Sequence, residues 1–357
     1  MNNKISSGQV LAMQVGLSVS LFPGLANILI LNISKNASLL SIVLGSILGL
    51  IPLLMIISIS KKLQNSSIRE YLKTNYKLLG SIINMILILT ALFILFINSW
   101  LTIDFIISQF LTRTSYYFIA ILLFSTIIYT ISKGIETTSR AIFILFIITI
   151  TIMFLLWISL IPYVEINNLK PFIDVQKSKI IKSSLIYITY TVLPIFYIID
   201  LKHITKDKNK FERKIIISYI FSSIIIISFI FFILSVYGID LASLFTYPVY
   251  SLFKKIQIIG FIERIENFAA IQIVVAFFIQ SIYLLYYVIN NITESLKLKS
   301  NNKYVIIITS ALIPFISITF FKNNNFKEII TILPYILSIL LIIIIILFIT
   351  KKLVNNS

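Results

Sequence analysis

The chain alternates long apolar runs with short polar ones. A membrane-spanning helix needs roughly 20 apolar residues. Ten runs approach or exceed that length: residues 8–32, 37–60, 80–108, 115–132, 141–162, 183–201, 215–238, 268–293, 304–321 and 329–350. All 30 lysines and arginines fall outside these runs. The connector after the second run, KKLQNSSIREYLKTNYKLLG, is polar enough to hold a short surface helix. The pattern predicts an all-α integral membrane protein with a single transmembrane domain over residues 1–357.

The first run is interrupted. GLSVSLFPGLANILI, residues 16–30, contains Gly16, Pro23 and Gly24. Proline removes a backbone donor and clashes with the preceding turn, and glycine weakens a helix. The sixth run, SSLIYITYTVLPIFYIID, carries Pro194 shortly after Thr191. Ten helices divide into five plus five, with repeats over about 8–162 and 183–350, and the first helix of each half then enters from opposite sides. Breaks in corresponding segments of inverted halves point to a transporter-type binding site. Unwound backbone is tolerated in a membrane only where it lines a cavity or is buried in protein. The reading assigns the unwound part of helix 1 to Gly16–Ser18 and the bend to Pro23 and Gly24.

Composition agrees with this picture: 59% of residues are hydrophobic and 12% charged, against about 25% charged in a soluble domain. The formal charge of +17 is read as loop lysines that set topology, with no nucleic-acid partner expected. The N-terminus, the loops after helices 2, 4, 6 and 8, and the C-terminus hold 19 lysines and arginines, and the alternate loops hold 11. Positive loops stay inside, so both termini are expected in the cytoplasm.

Catalytic chemistry has little to work with. His203 is the only histidine and no cysteine exists, so a histidine-based metal site or triad and thiol catalysis are not expected. No Walker-type phosphate loop occurs. The chain is read as a non-enzyme with no metal or cofactor. Intramembrane charges are costly and mark function. Asp104 falls near the outer end of helix 3, whereas Asp200, beside Lys202 and His203, is read as interfacial. In helix 8, Gln272 and Gln280 share a face and Gln280 and Tyr283 are i,i+3 neighbours. Tyr286 and Tyr287 are read as an interfacial belt. The candidate ligand contacts are Gly16, Ser18, Asp104, Thr191, Pro194, Gln280 and Tyr283.

Four further stretches carry a family resemblance: SIREYLK (67–73), KGIETTSR (133–140), EINNLKP (165–171) and YPVYSLFKKIQIIGFIERIEN (247–267). With the G-x-S-x-x-x-x-P of helix 1, they resemble the B subunit of GerA-type spore germinant receptors, similar to amino-acid permeases of the APC superfamily. The resemblance implies the LeuT-like five-plus-five fold with broken helices 1 and 6. It implies a receptor for a small germinant, an amino acid being the first expectation, working with an A-type membrane subunit and a C-type lipoprotein in the spore inner membrane. It marks Lys133, Gly134, Glu136, Arg140, Asn168, Pro171, Pro248, Glu263 and Arg264 as motif residues with a structural or coupling role, and the 247–267 segment as an external lid-like loop. The family's helix 1 Gly-x-Gly is here Gly16 and Ser18, its helix 6 Gly-x-Glu has no counterpart near Thr191 and Pro194, and a Thr-Pro after helix 3 is Thr114-Ser115. The alternatives are an APC-type amino-acid transporter and an assembly subunit with a decayed pocket.

The topology is directly testable because the chain has no cysteine. Asn3→Cys and Ser357→Cys are expected to stay unlabelled by an impermeant maleimide added outside, while Thr246→Cys reacts. Labelling of either terminus would reverse the orientation.

Overall fold

The computed structural model describes residues 4–63, 66–256, 265–298, 302–323 and 326–354. Ser6 starts the first helix, α1 (Ser7–Val19), with a reciprocal cap: its hydroxyl accepts from Gln9 N–H and the Gln9 side chain accepts from Ser6 N–H, satisfying two donors a helix start leaves free. Regular helix stops at Ser20–Leu21. A π turn over Phe22–Ala26 follows, then α2 (Asn27–Ser34). Lys35, at φ +46°, ends that helix, and α3 (Ser38–Leu48) and α4 (Leu50–Leu63) return across the fold. A second capping box, Ser67 with Glu70, opens α5 (Ile68–Gln109), which bends at Lys77 so that a surface turn precedes the third span. The remaining helices are α6 (Tyr116–Ser132), α7 (Ile135–Leu160), α8 (Lys177–Thr191), α9 (Ile195–Ile198), α10 (Lys208–Ala242), α11 (Pro248–Lys254), α12 (Glu266–Ser295), α13 (Lys303–Asn323) and α14 (Phe326–Val354).

Among the described residues, eight helical stretches are long and apolar enough to cross a membrane, and Tyr116–Ser132 is a shorter apolar helix. The first stretch, Ser7–Leu63, has 57 residues and makes two crossings, because both of its ends meet the same segment. Ile5 N–H bonds Ile204 O at 3.0 Å, and Ser60 O accepts from Lys202 at 2.9 Å. The same face gathers Ile68 N–H on Asp200 (2.8 Å), Arg69 on Glu294 (2.9 Å) and Tyr76 against Thr350 (2.7 Å). The opposite face gathers Asn36 on the Lys170 carbonyl (3.3 Å), Tyr247 on Asp104 (2.7 Å) and Lys254 on Gln109 (3.2 Å). Residues 4 and 350 therefore sit on one side of the fold, as ten alternating crossings require.

Small residues let α3 lie against α8. Gly45 and Gly49 form a G-x-x-x-G pair, a spacing that brings membrane helices close. A Cβ on Gly45 would stand 2.9 Å from Tyr187 Cδ1 and 3.0 Å from Ser184 O. The contact is completed by Ser184 Oγ donating to Ser41 O at 2.7 Å and Tyr219 OH donating to Ser46 O at 2.6 Å. On the face carrying the termini, Lys202 and Glu212 form a largely buried ion pair at 2.5 Å that Ser60 also joins. Asp200 is half-buried and accepts the first N–H of α5. It is thus a helix cap rather than the solvated interfacial charge expected.

Gly45→Leu should lower the thermal midpoint of the purified protein, since overpacking a tight contact costs about 1–3 kcal/mol. An unchanged midpoint would show that α3 and α8 do not depend on this close approach.

Candidate functional site

The break in helix 1 lies at Ser20–Ala26, not at Gly16–Ser18. Residues 16–18 are regular helix and fully buried. The physical reason is that glycine alone does not unwind a packed helix, whereas Pro23 removes the N–H that would bond one turn back. The ladder slips to i+5 pairing, with Ala26 N–H on Leu21 O at 3.4 Å and Asn27 N–H on Phe22 O. Pro23 and Gly24 are therefore inside the break. Gly16 serves close approach: a Cβ there would lie 2.4 Å from Ile279 Cγ2. That contact brings α12 against α1, and the next residue, Gln280, donates Nε2 to Leu17 O at 3.2 Å. Ser18 Oγ and Gln280 Oε1 are buried and have no hydrogen-bond partner among the described residues.

Helix 6 breaks over residues 192–194, between α8 and α9. Leu193 N–H reaches back to Ile188 O at 3.2 Å, and Thr191 returns its hydroxyl to Tyr187 O at 2.7 Å. Pro194 is the N-cap of α9. The second half is braced by Tyr197, whose OH meets Thr90 at 2.6 Å and whose carbonyl accepts from Tyr283 OH. Tyr287 packs edge-on to Tyr197 with centroids 5.0 Å apart and is buried. It belongs to the core, not to the interfacial belt expected of it, because α12 turns this face to helix 6.

A partly open cavity of about 70 Å³ abuts the broken helix 1, lined by α1, α7, α10, α11 and α12. Gly16, Val19 and Pro23 form one wall, with Thr149 and Gln272 supplying the polar side chains of a lining that is otherwise apolar apart from backbone. Gln272 Nε2 donates to Thr149 O at 2.8 Å. Of the expected contacts, Gly16 lines this cavity. Ser18, Thr191, Pro194, Gln280 and Tyr283 cluster about the two breaks without lining it. Asp104 stands apart at the C-terminal end of α5, where its Oδ2 accepts from Tyr247 OH at 2.7 Å. Burial and the Asp104 charge push the Tyr247 phenol up, so it stays the donor. Gln272 was legible as an amide in an apolar span. Val19, Phe146, Met153 and Phe229, also in the lining, carry no signal that separates a cavity wall from ordinary core.

The motif residues take structural positions. Lys133 lies over the Tyr129 ring at 4.8 Å, Gly134 (φ +86°) caps α7, and Glu136 pairs with Arg140 at 2.6 Å on an exposed face. Asn168 and Glu165 N–H both donate to Ser235 O, at 3.0 and 3.1 Å, where α10 kinks at Gly238 (φ +68°). Pro171 follows a cis peptide, and Pro248 opens α11. Glu263 and Arg264 lie outside the described residues. Among the described residues, no group of three His, Asp or Glu side chains is arranged to hold a metal ion.

A Na+-coupled sialic acid symporter, solved substrate-bound and outward-open, is similar in structure over 95% of this chain and 78% of its own, with a TM-score of 0.71 and 12% identity. That likeness shows the fold, a LeuT-type transporter architecture with broken helices 1 and 6. No curated protein matches the sequence. The sequence pattern described as "Spore germination protein" matches residues 4–327. The chain belongs to the spore germination protein family, as a permease-like multi-pass membrane protein.

Proposed function

We propose that this chain is the membrane subunit of a nutrient-germinant receptor of the spore inner membrane, with cytoplasmic termini and repeats over about 8–162 and 183–350. It takes a small germinant, an amino acid first, and signals through an A-type membrane subunit and a C-type lipoprotein. The observation that carries the reading is the cavity against the π-turned segment of helix 1. Its carbon-rich wall favours a small apolar side chain, and the open acceptors Ser18 Oγ and Gln280 Oε1 beside the break favour a hydrogen-bond donor such as an ammonium. The symporter likeness supports transport as the second reading. Uptake of labelled amino acids into liposomes holding the purified chain separates the two.

Met153→Phe reduces the cavity from the α7 side without touching helix 1, and Gly16→Val drives a methyl into Ile279. Both are expected to raise the nutrient concentration needed for germination. Gln280→Ala removes one hydrogen bond, about 1–2 kcal/mol, or roughly a tenfold rise. Dose–response curves at matched protein level read these shifts, with exposed Lys210→Ala as the unchanged control. Wild-type responses from all three variants would move the ligand away from this cavity.

Spores that keep this chain but lack the cognate A-type subunit should ignore the nutrient. Normal germination of such spores would refute dependence on that partner.

A further inference from the structure

A second hollow lies away from the broken helices. It has a volume of about 400 Å³ between α2, α8 and α14, and its walls include Leu29, Ile33, Lys182, Leu185, Tyr335 and Ser338. Leu185 and Tyr335 are 53% and 68% exposed, so the groove opens sideways, on the surface that a membrane-embedded chain turns to lipid. Among the described residues, Lys182 is its one charged lining residue. It has no ion pair or hydrogen-bond partner among the described residues, and it sits five residues past the start of α8, roughly 8 Å along the helix. That depth lies within reach of the headgroup layer for a snorkelling lysine.

From this groove we infer a binding site for an anionic glycerophospholipid. The phosphate meets the Lys182 ammonium, and one acyl chain lies along Leu29, Ile33 and Leu185 toward Ser338. A charge beside hydrocarbon is costly, and a basic pocket between membrane helices recruits an anionic headgroup. The chemistry selects against a partner helix. Close helix contacts in a bilayer use small residues, whereas this wall presents chiefly Leu, Ile and Tyr, with only Thr189 and Ser338 as small polar residues, and a second apolar helix would cover the ammonium without neutralising it.

The test is native mass spectrometry of the full-length chain, titrated in detergent with dioleoyl phosphatidylglycerol, dioleoyl phosphatidylcholine and dihexanoyl phosphatidylglycerol. The wild type should retain dioleoyl phosphatidylglycerol over phosphatidylcholine by roughly fivefold, the preference one basic residue gives. Lys182→Gln should abolish the preference, Lys182→Arg should keep it, and Ser338→Trp should weaken retention of both dioleoyl lipids. Lys210→Gln, on the opposite face, should behave as wild type. Equal retention of the two headgroups by the wild type, or an unchanged preference in Lys182→Gln, would overturn the site. Dihexanoyl phosphatidylglycerol binding as well as the dioleoyl lipid would also overturn it, reducing the groove to an anion contact without a chain.

Discussion

In the middle of a bilayer no water is available to a free backbone group, so every interruption of a helix has to be sealed by the protein itself. Among the described residues, three interruptions have an identifiable seal. The end of α1 is closed by the Gln280 amide on Leu17 O. The second half of helix 6 is held by Tyr283 on the Tyr197 carbonyl. The kink in α10 at Gly238 is closed by Asn168 and the Glu165 amide on Ser235 O. Two of the three seals come from α12, so one helix fixes the geometry of both central breaks.

That economy explains why the polar residues and the cavity do not coincide. Gly16 lets α12 approach until Gln280 reaches helix 1, and this contact occupies the amide donor while leaving its oxygen open. The cavity beside this contact is lined by α12 as well as by α1, α7, α10 and α11, and its walls are mostly aliphatic and aromatic carbon. The site thus has a greasy compartment and, next to it, a short row of buried acceptors. Thr191, whose hydroxyl is returned to its own helix, supplies backbone geometry at the helix 6 break more than an available donor.

The two faces of the fold are tied by different chemistry. On the face of the termini, the Lys202–Glu212 pair, the Ile5–Ile204 bridge and the Asp200 cap draw α1, α4, α5 and α10 together. On the opposite face, α11 and the residue before it are connected to α5 by Tyr247 on Asp104 and Lys254 on Gln109. A buried ion pair is strongly destabilised when one partner leaves, whereas an exposed tie such as Lys254 on Gln109 exchanges with water at little cost.

The sequence by itself determined the membrane class, the ten apolar runs, the alternation of their connectors and the presence of breaks in helices 1 and 6. These follow from local chemistry: twenty apolar residues span hydrocarbon whatever surrounds them, and proline cannot donate wherever it stands. The family resemblance rested on polar loop motifs, which are legible because apolar spans leave few alternatives outside them. Tertiary structure alone decided which residues of helix 1 unwind, since Gly16 stays helical when α12 packs on it and the slip to i+5 pairing falls at Phe22–Ala26. It also decided that Tyr287 is core and Asp200 a cap, because a side chain's environment depends on which neighbour its face meets. The cavity itself was invisible in sequence: empty space is a mismatch between surfaces of several helices, and no single residue records it.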